Sequence, residues 1–418
     1  MRNRGCTLIV AFAAIALSAG AVTKPGIETL RDGGFKQLEG KRVGLITNAT
    51  GVDNNLRSTV DILWEAENVE LVALFGPEHG VRGDVHAGDV VGNSVDPVTG
   101  VKVYSLFGKT HKPTAEMLAD VDVLVYDIQD IGCRSYTFIS TMGLAMAACA
   151  ELGKEFVVLD RPNPLGGYKV EGNVVEDGYY SFVSQFKIPY VYGLTPGELA
   201  ILLNEEGLLE GGVKVDLTVV PMSGWSREMK FRNTGMPWLI PTPHIPTPES
   251  AMFYPATGIL GEFYAVSIGV GYTLPFQLIC ANWIDAEAFS RQMNALSLPG
   301  VMFRPIHIKP FYTTYKDGQI DMMQDQHGVE IYITDPDVAQ LTMIQFYAMQ
   351  VMAQMYPDRK LFELKGVSKR FGMFDKVCGS NQIRLRFTKN YEVADIIDYW
   401  NKDVDAFKAT SAKYYLYH

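Results

Sequence analysis

The chain has 418 residues, 47% hydrophobic and 20% charged, with a net charge of −10. That is the profile of an ordinary globular protein with room for two cores. An acidic chain without clustered Lys or Arg argues against nucleic acid as a partner.

At the amino end, Arg2 and Arg4 precede the apolar run Thr7–Leu17 and the small residues Ser18–Ala21. This pattern predicts a secretory signal peptide over residues 1–21, cleaved near Ala21. The run falls short of the roughly 20 apolar residues a membrane anchor needs. Losing Arg2 and Arg4 and no acid takes the net charge from −10 to −12. No later segment is apolar enough to span a bilayer, so no stable membrane insertion is expected, and the mature chain belongs in the periplasm or outside the cell. Cys133, Cys149, Cys280 and Cys378 are scattered and are expected as buried free thiols rather than a disulfide framework.

Short apolar runs then alternate with helical segments. Strands are predicted at Arg42–Thr47, Val69–Phe75, Asp122–Ile128, Phe156–Asp160 and Lys214–Val220, and helices near 57–66, 114–119, 135–152 and 196–206. Near-continuous apolarity suits strands covered on both faces. Thr195, Pro196 and Glu198 supply the cap, first-turn proline and acid of the last of these helices. The fold class expected is α/β: a Rossmann-like, doubly wound parallel sheet over residues 22–250, with a second, smaller α+β domain over 251–418. Between them, 221 to about 258 is dense in proline and reads as a rigid connector. In the second domain, Val329–Thr334 alternates like a strand. Leu341, Ile344, Ala348, Val351, Met352 and Met355 form a helical stripe ending at Pro357, 392–410 reads as another amphipathic helix, and Tyr414–Tyr417 as an edge strand.

In a doubly wound sheet, ligands sit beyond the carboxyl ends of the strands. The residues that follow the predicted strands there are polar: Asn48; Glu78, His79 and Arg82; Asp127, Asp130 and Arg134; Asp160, Arg161 and Asn163. A dinucleotide site is disfavoured, because no G-x-G-x-x-G or G-x-x-x-x-G-K-[ST] is present. Glu78, His79, Asp84, His86 and Asp89 hold ligand-type groups close together but form no H-E-x-x-H, and neither a metal nor another cofactor is expected. Acid–base cleavage of a glycosidic bond fits better, since it needs a carboxylic acid to protonate the leaving oxygen. Glu78, in the tight turn Gly76-Pro77-Glu78-His79-Gly80, is the natural donor.

The motifs Lys41–Gly51, Phe75–Gly80, Tyr126–Thr137, Leu159–Pro164, Val170–Asn173, Gly193–Leu199, Pro241–Thr247 and Phe374–Gly379 resemble, in order, those of the exo-β-N-acetylmuramidase (NamZ-type) glycoside hydrolases. The resemblance implies release of N-acetylmuramic acid from the non-reducing end of peptidoglycan fragments, with Glu78 as the catalytic acid. His79 would orient the acid or the leaving group. Asp127 or Asp130 would act on the opposite face, as a base or to steer the substrate's 2-acetamido oxygen. Asn48, Arg82, Arg134, Tyr136, Asp160, Arg161, Asn163, Glu171 and His244 are the substrate-binding candidates. One of the three arginines is expected to clamp the lactyl carboxylate. The chain departs from the family pattern where Ile268 and Val270 replace an acid and an arginine. That departure keeps a second hypothesis open, a non-catalytic cell-wall sugar-binding protein on the same scaffold.

Overall fold

The structure, a computed structural model, describes residues 22–78, 80–82, 94–311 and 324–418. The candidate leader, His79, Asp84, His86 and Asp89 lie outside the described residues. Strands β1 (Arg42–Thr47), β2 (Glu70–Gly76), β3 (Ser94–Val95), β4 (Lys102–Ser105), β5 (Val123–Asp127), β6 (Glu155–Leu159) and β7 (Asp216–Val220) form one sheet, ordered β3-β4-β2-β1-β5-β6-β7. Every pairing is parallel except β3–β4. The chain enters at β1, winds to one edge through β2 and β4, then returns to lay β5 beside β1 and continues outward. The expected doubly wound sheet is therefore present, with its switch point between β1 and β5.

The alternation of side chains explains the apolar strands. Val123 and Val125 pack with helices α1 (Gly26–Asp32) and α2 (Thr59–Glu65) on one face. Leu124 and Tyr126 pack on the other, with α3 (Phe138–Leu152) and α4 (Pro196–Glu205). Helix α4 starts at the predicted place, where Thr195 and Glu198 close a capping box. Helix α3 is buried along most of its length, packed against β6, α4 and Phe186. Gly143 lets Phe186 pack directly on it: a Cβ there would stand 2.1 Å from the ring. The helix predicted at 114–119 is a series of single turns, since so short a segment does not repay helix nucleation.

The second unit holds α5 (Ser250–Gly261) and a smaller antiparallel sheet of β8 (Leu278–Ala281), β9 (Val301–Ile308) and β10 (Gln326–Ile333), ordered β8-β10-β9. Around it lie α6 (Ala286–Ala295), α7 (Leu341–Met355), α8 (Phe371–Cys378), α9 (Gln382–Asn390), α10 (Ile397–Asn401) and α11 (Val404–Ser411). Three expectations need correction. The proline-rich stretch gives way to helix at Ser250, with Pro255 inside α5. Residues 392–410 break into short helices. The carboxyl end is no edge strand, because its side chains hold it instead of a ladder. Tyr417 donates to Asp160 at 2.6 Å and accepts from the Met222 amide at 2.9 Å, and the Arg227 guanidinium sits 3.3 Å over the Tyr415 ring. The four described cysteines are free and buried.

Candidate active site

The polar strand ends do gather at the carboxyl edge, but most turn inward. Beside the switch point, the Asp127 carboxylate takes the Arg161 guanidinium at 2.5 and 2.9 Å and the Thr59 hydroxyl at 2.5 Å. Both partners are almost wholly buried. This pair fills the crevice where a doubly wound sheet would usually hold its ligand. Asp127 is thereby removed from the groups that can face a sugar. Asp160 accepts from Thr195, Tyr417 and the Gly197 amide, and burial pushes its carboxyl up to about 7. Asn163 bonds Leu194 and Leu165. The Asn48 side-chain oxygen Oδ1 accepts from the Thr50 amide and hydroxyl.

The three arginines already hold partners within the protein, and none lines the cleft that contains Glu78. Arg82 is forked onto Asp96 at 2.6 and 3.0 Å and reaches Asp61 at 3.1 Å. Arg161 belongs to Asp127. Arg134 is fully buried and donates to the carbonyls of Asn173, Ile188 and Val377, tying the large sheet's loops to α8. Burial without an acidic partner brings its guanidinium down to about 10. Glu171 likewise serves the fold, accepting from the Leu341 and Thr342 amides at the start of α7.

Glu78 is placed differently. After β2 the chain turns at Pro77, closed by the Gly80 amide on the Pro77 carbonyl at 3.1 Å, with Gly80 at φ 76°. A left-handed residue at that point favours glycine. The half-buried Glu78 lines a cleft of about 270 Å³ with Ser135, Tyr136, Thr242, His244, Tyr254 and Phe276 among its walls. Tyr136 and Tyr254 meet edge to face at 5.7 Å, and Tyr254 meets Phe276 at 4.8 Å. The Ser135 hydroxyl joins Tyr190 and Tyr254. Burial raises both cleft phenols well above their ordinary range, and the charge of Glu78 adds to the rise. An acid against an aromatic wall is the arrangement that suits proton donation to a sugar oxygen.

Asp130 lies behind this wall. Its carboxyl accepts from Tyr192 and from the Gly132 amide at 2.7 Å, while Oδ1 is buried without a partner. Burial pushes it up to about 6. Gly132, at φ 78°, closes the turn; a Cβ there would stand 2.4 Å from Asn163. The structure thus brings together Glu78, Tyr136 and His244 of the predicted set. It adds Ser135, Thr242, Tyr254 and Phe276. Ser135 and Thr242 sit inside recognised motifs. Tyr254 and Phe276 come from the second unit and carry no local signal. Ile268 and Val270 are 3% and 6% exposed in the apolar core and do not line the cleft.

Among the described residues, no cluster of three His, Cys, Asp or Glu side chains is arranged to hold a metal, and no helix is long and apolar enough to cross a membrane. Models described as the N-terminal and C-terminal domains of exo-beta-N-acetylmuramidase NamZ match residues 43–249 and 252–417. A peptidoglycan beta-N-acetylmuramidase, NamZ, of Bacillus subtilis (strain 168) is 45% identical over 94% of this chain and 91% of its own. A crystal structure of a DUF1343 family protein from Bacteroides fragilis NCTC 9343 superposes with a TM-score of 0.90 at 58% identity, covering 95% of this chain and 99% of that one. A second protein of that description and organism gives 0.75 at 27% identity over the same shares.

Proposed function

The chain belongs to the exo-beta-N-acetylmuramidase NamZ family of glycosidases, and from that membership we propose that it is exported and releases N-acetylmuramic acid from the non-reducing ends of peptidoglycan fragments, with Glu78 as general acid. The leader-like residues 1–21 support export. The observation that carries the mechanism is the cleft itself: Glu78 is the one carboxylate among its described lining residues. In the reaction, protonated Glu78 gives its proton to the glycosidic oxygen as that oxygen's bond to the anomeric carbon breaks, so the leaving sugar departs as a neutral alcohol, and water bonds to the anomeric carbon in its place and releases a proton to solvent. The aromatic wall shields that proton, Asp130 holds the turn ahead of Tyr136 through the Gly132 amide, and Asp127 braces the strand ends through Arg161 and Thr59.

The sugar-binding alternative drew on the loss of two charged groups at Ile268 and Val270. Both positions are core in this chain, and neither side chain lines the Glu78 cleft. The Glu78 cleft is formed in this chain without a contribution from either position. Incubating the purified protein with a chromogenic β-N-acetylmuramide tests the proposal. Release of the chromophore supports it, and binding of the glycoside without release supports the sugar-binding alternative.

A further inference from the structure

The lactyl carboxylate distinguishes a muramyl from a glucosaminyl sugar, and the three arginines that follow the strand ends hold partners within the protein and do not line the Glu78 cleft. The acidic chain offers no long-range attraction for such a group, so a local receptor has to supply it. Three features of the Glu78 cleft converge on that task. Tyr136 is 8% exposed, and its hydroxyl is buried without a hydrogen-bond partner. Thr242 stands beside it without reaching hydrogen-bonding geometry. A buried donor left unpaired is a standing cost in the free protein, and within a cleft it marks where a ligand completes the bond.

The second feature is the amino end of α3. Thr137 and Phe138 line the cleft, the helix has no side-chain cap, and its first turn holds no acid. First-turn amides have no acceptor within a helix, and the helix dipole favours negative charge there. The third is His244, the basic side chain among the described lining residues. It rides on a turn closed by the Ile245 amide on the Thr242 carbonyl at 3.0 Å and pinned by Trp238 Nε1 on the Ile245 carbonyl at 3.2 Å.

We propose that Tyr136, the amino end of α3 and His244 together receive the lactyl carboxylate of the muramyl sugar and set the preference for muramyl over glucosaminyl substrates. The inference rests on the function proposed above and gives that site its selectivity. A neutral hydroxyl donor alone would serve any hexosamine. The helix terminus and the imidazole beside it are what favour an anion.

Calorimetric titration of the full chain with N-acetylmuramic acid, its lactyl methyl ester and N-acetylglucosamine tests this without relying on turnover. The unaltered protein is expected to bind the acid about ten- to a hundredfold tighter than the ester, the scale of hydrogen bonds to a charged group. Tyr136→Phe and His244→Gln should each narrow that ratio by about tenfold. Tyr136→Phe should melt no lower than the parent, because the hydroxyl it loses bonds nothing in the free protein. A ratio that survives in both variants, or an equal weakening of all three sugars, overturns the inference. A parent that binds the sugars without preferring the acid overturns it and leaves a glycosidase standing. A parent that binds none of them overturns the proposed function as well.

Discussion

Replacing Arg161 by methionine tests whether the charges at the strand ends serve the scaffold. The Asp127 and Arg161 side chains are 0% and 3% exposed, and the guanidinium makes contacts of 2.5 and 2.9 Å to the carboxylate and 2.8 Å to the Val52 carbonyl. The substitution leaves a buried carboxylate with the Thr59 hydroxyl alone, which costs about 3–5 kcal/mol. The orphaned carbonyl adds about 1 kcal/mol. Against a total stability of roughly 5–15 kcal/mol this is a large fraction. Arg161→Met combined with Asp127→Asn removes both charges and should recover about 2 kcal/mol of the single loss, because the two residues are coupled. Urea unfolding followed by circular dichroism reads these shifts in the midpoint at constant slope. A loss under about 1 kcal/mol for Arg161→Met, the value of an exposed pair, would refute the argument. So would a fall of more than about tenfold in turnover for folded Asp127→Asn, since 1.4 kcal/mol of activation energy would then be assigned to a residue outside the cleft.

Two further perturbations follow from the same geometry. Asp130 and Asp160 are raised by burial to about 6 and 7, so the folded state keeps protons that the unfolded chain releases near pH 4. Their contribution is fully present below pH 4 and is lost as the pH rises towards 7; Asp160→Asn should flatten that fall in the urea midpoint. Tyr417→Phe removes a buried bond to Asp160 and one from the Met222 amide, which should cost about 1–3 kcal/mol and lower the melting temperature by several degrees.

What could be read from residues alone follows from burial. Strands β1, β2, β5 and β6 were legible because both their faces are covered, which makes them almost continuously apolar. Strand β9 was not: Arg304 and Pro305 interrupt it, and Met302 is exposed on its outer face. Helix α5 was masked by Pro255, which lies inside it beyond the first turn and removes one backbone hydrogen bond from the helix. At the site, Glu78 was legible from its turn. Asp127, Asp160, Arg134 and Arg161 read as site residues because buried structural pairs and catalytic groups use the same residue types at the same strand ends. Only their partners, many of them far away in the chain, separate the two cases. Tyr254 and Phe276 reach the cleft by tertiary packing between the two units.

The most direct test of the account is the turnover of a chromogenic β-N-acetylmuramide by the parent chain and by Glu78→Gln. The two side chains have nearly the same shape, so the variant should fold and melt as the parent does. The account predicts hydrolysis by the parent and a loss of at least about two orders of magnitude in kcat for the variant, the scale of a missing general acid. Turnover by Glu78→Gln close to that of the parent would contradict it.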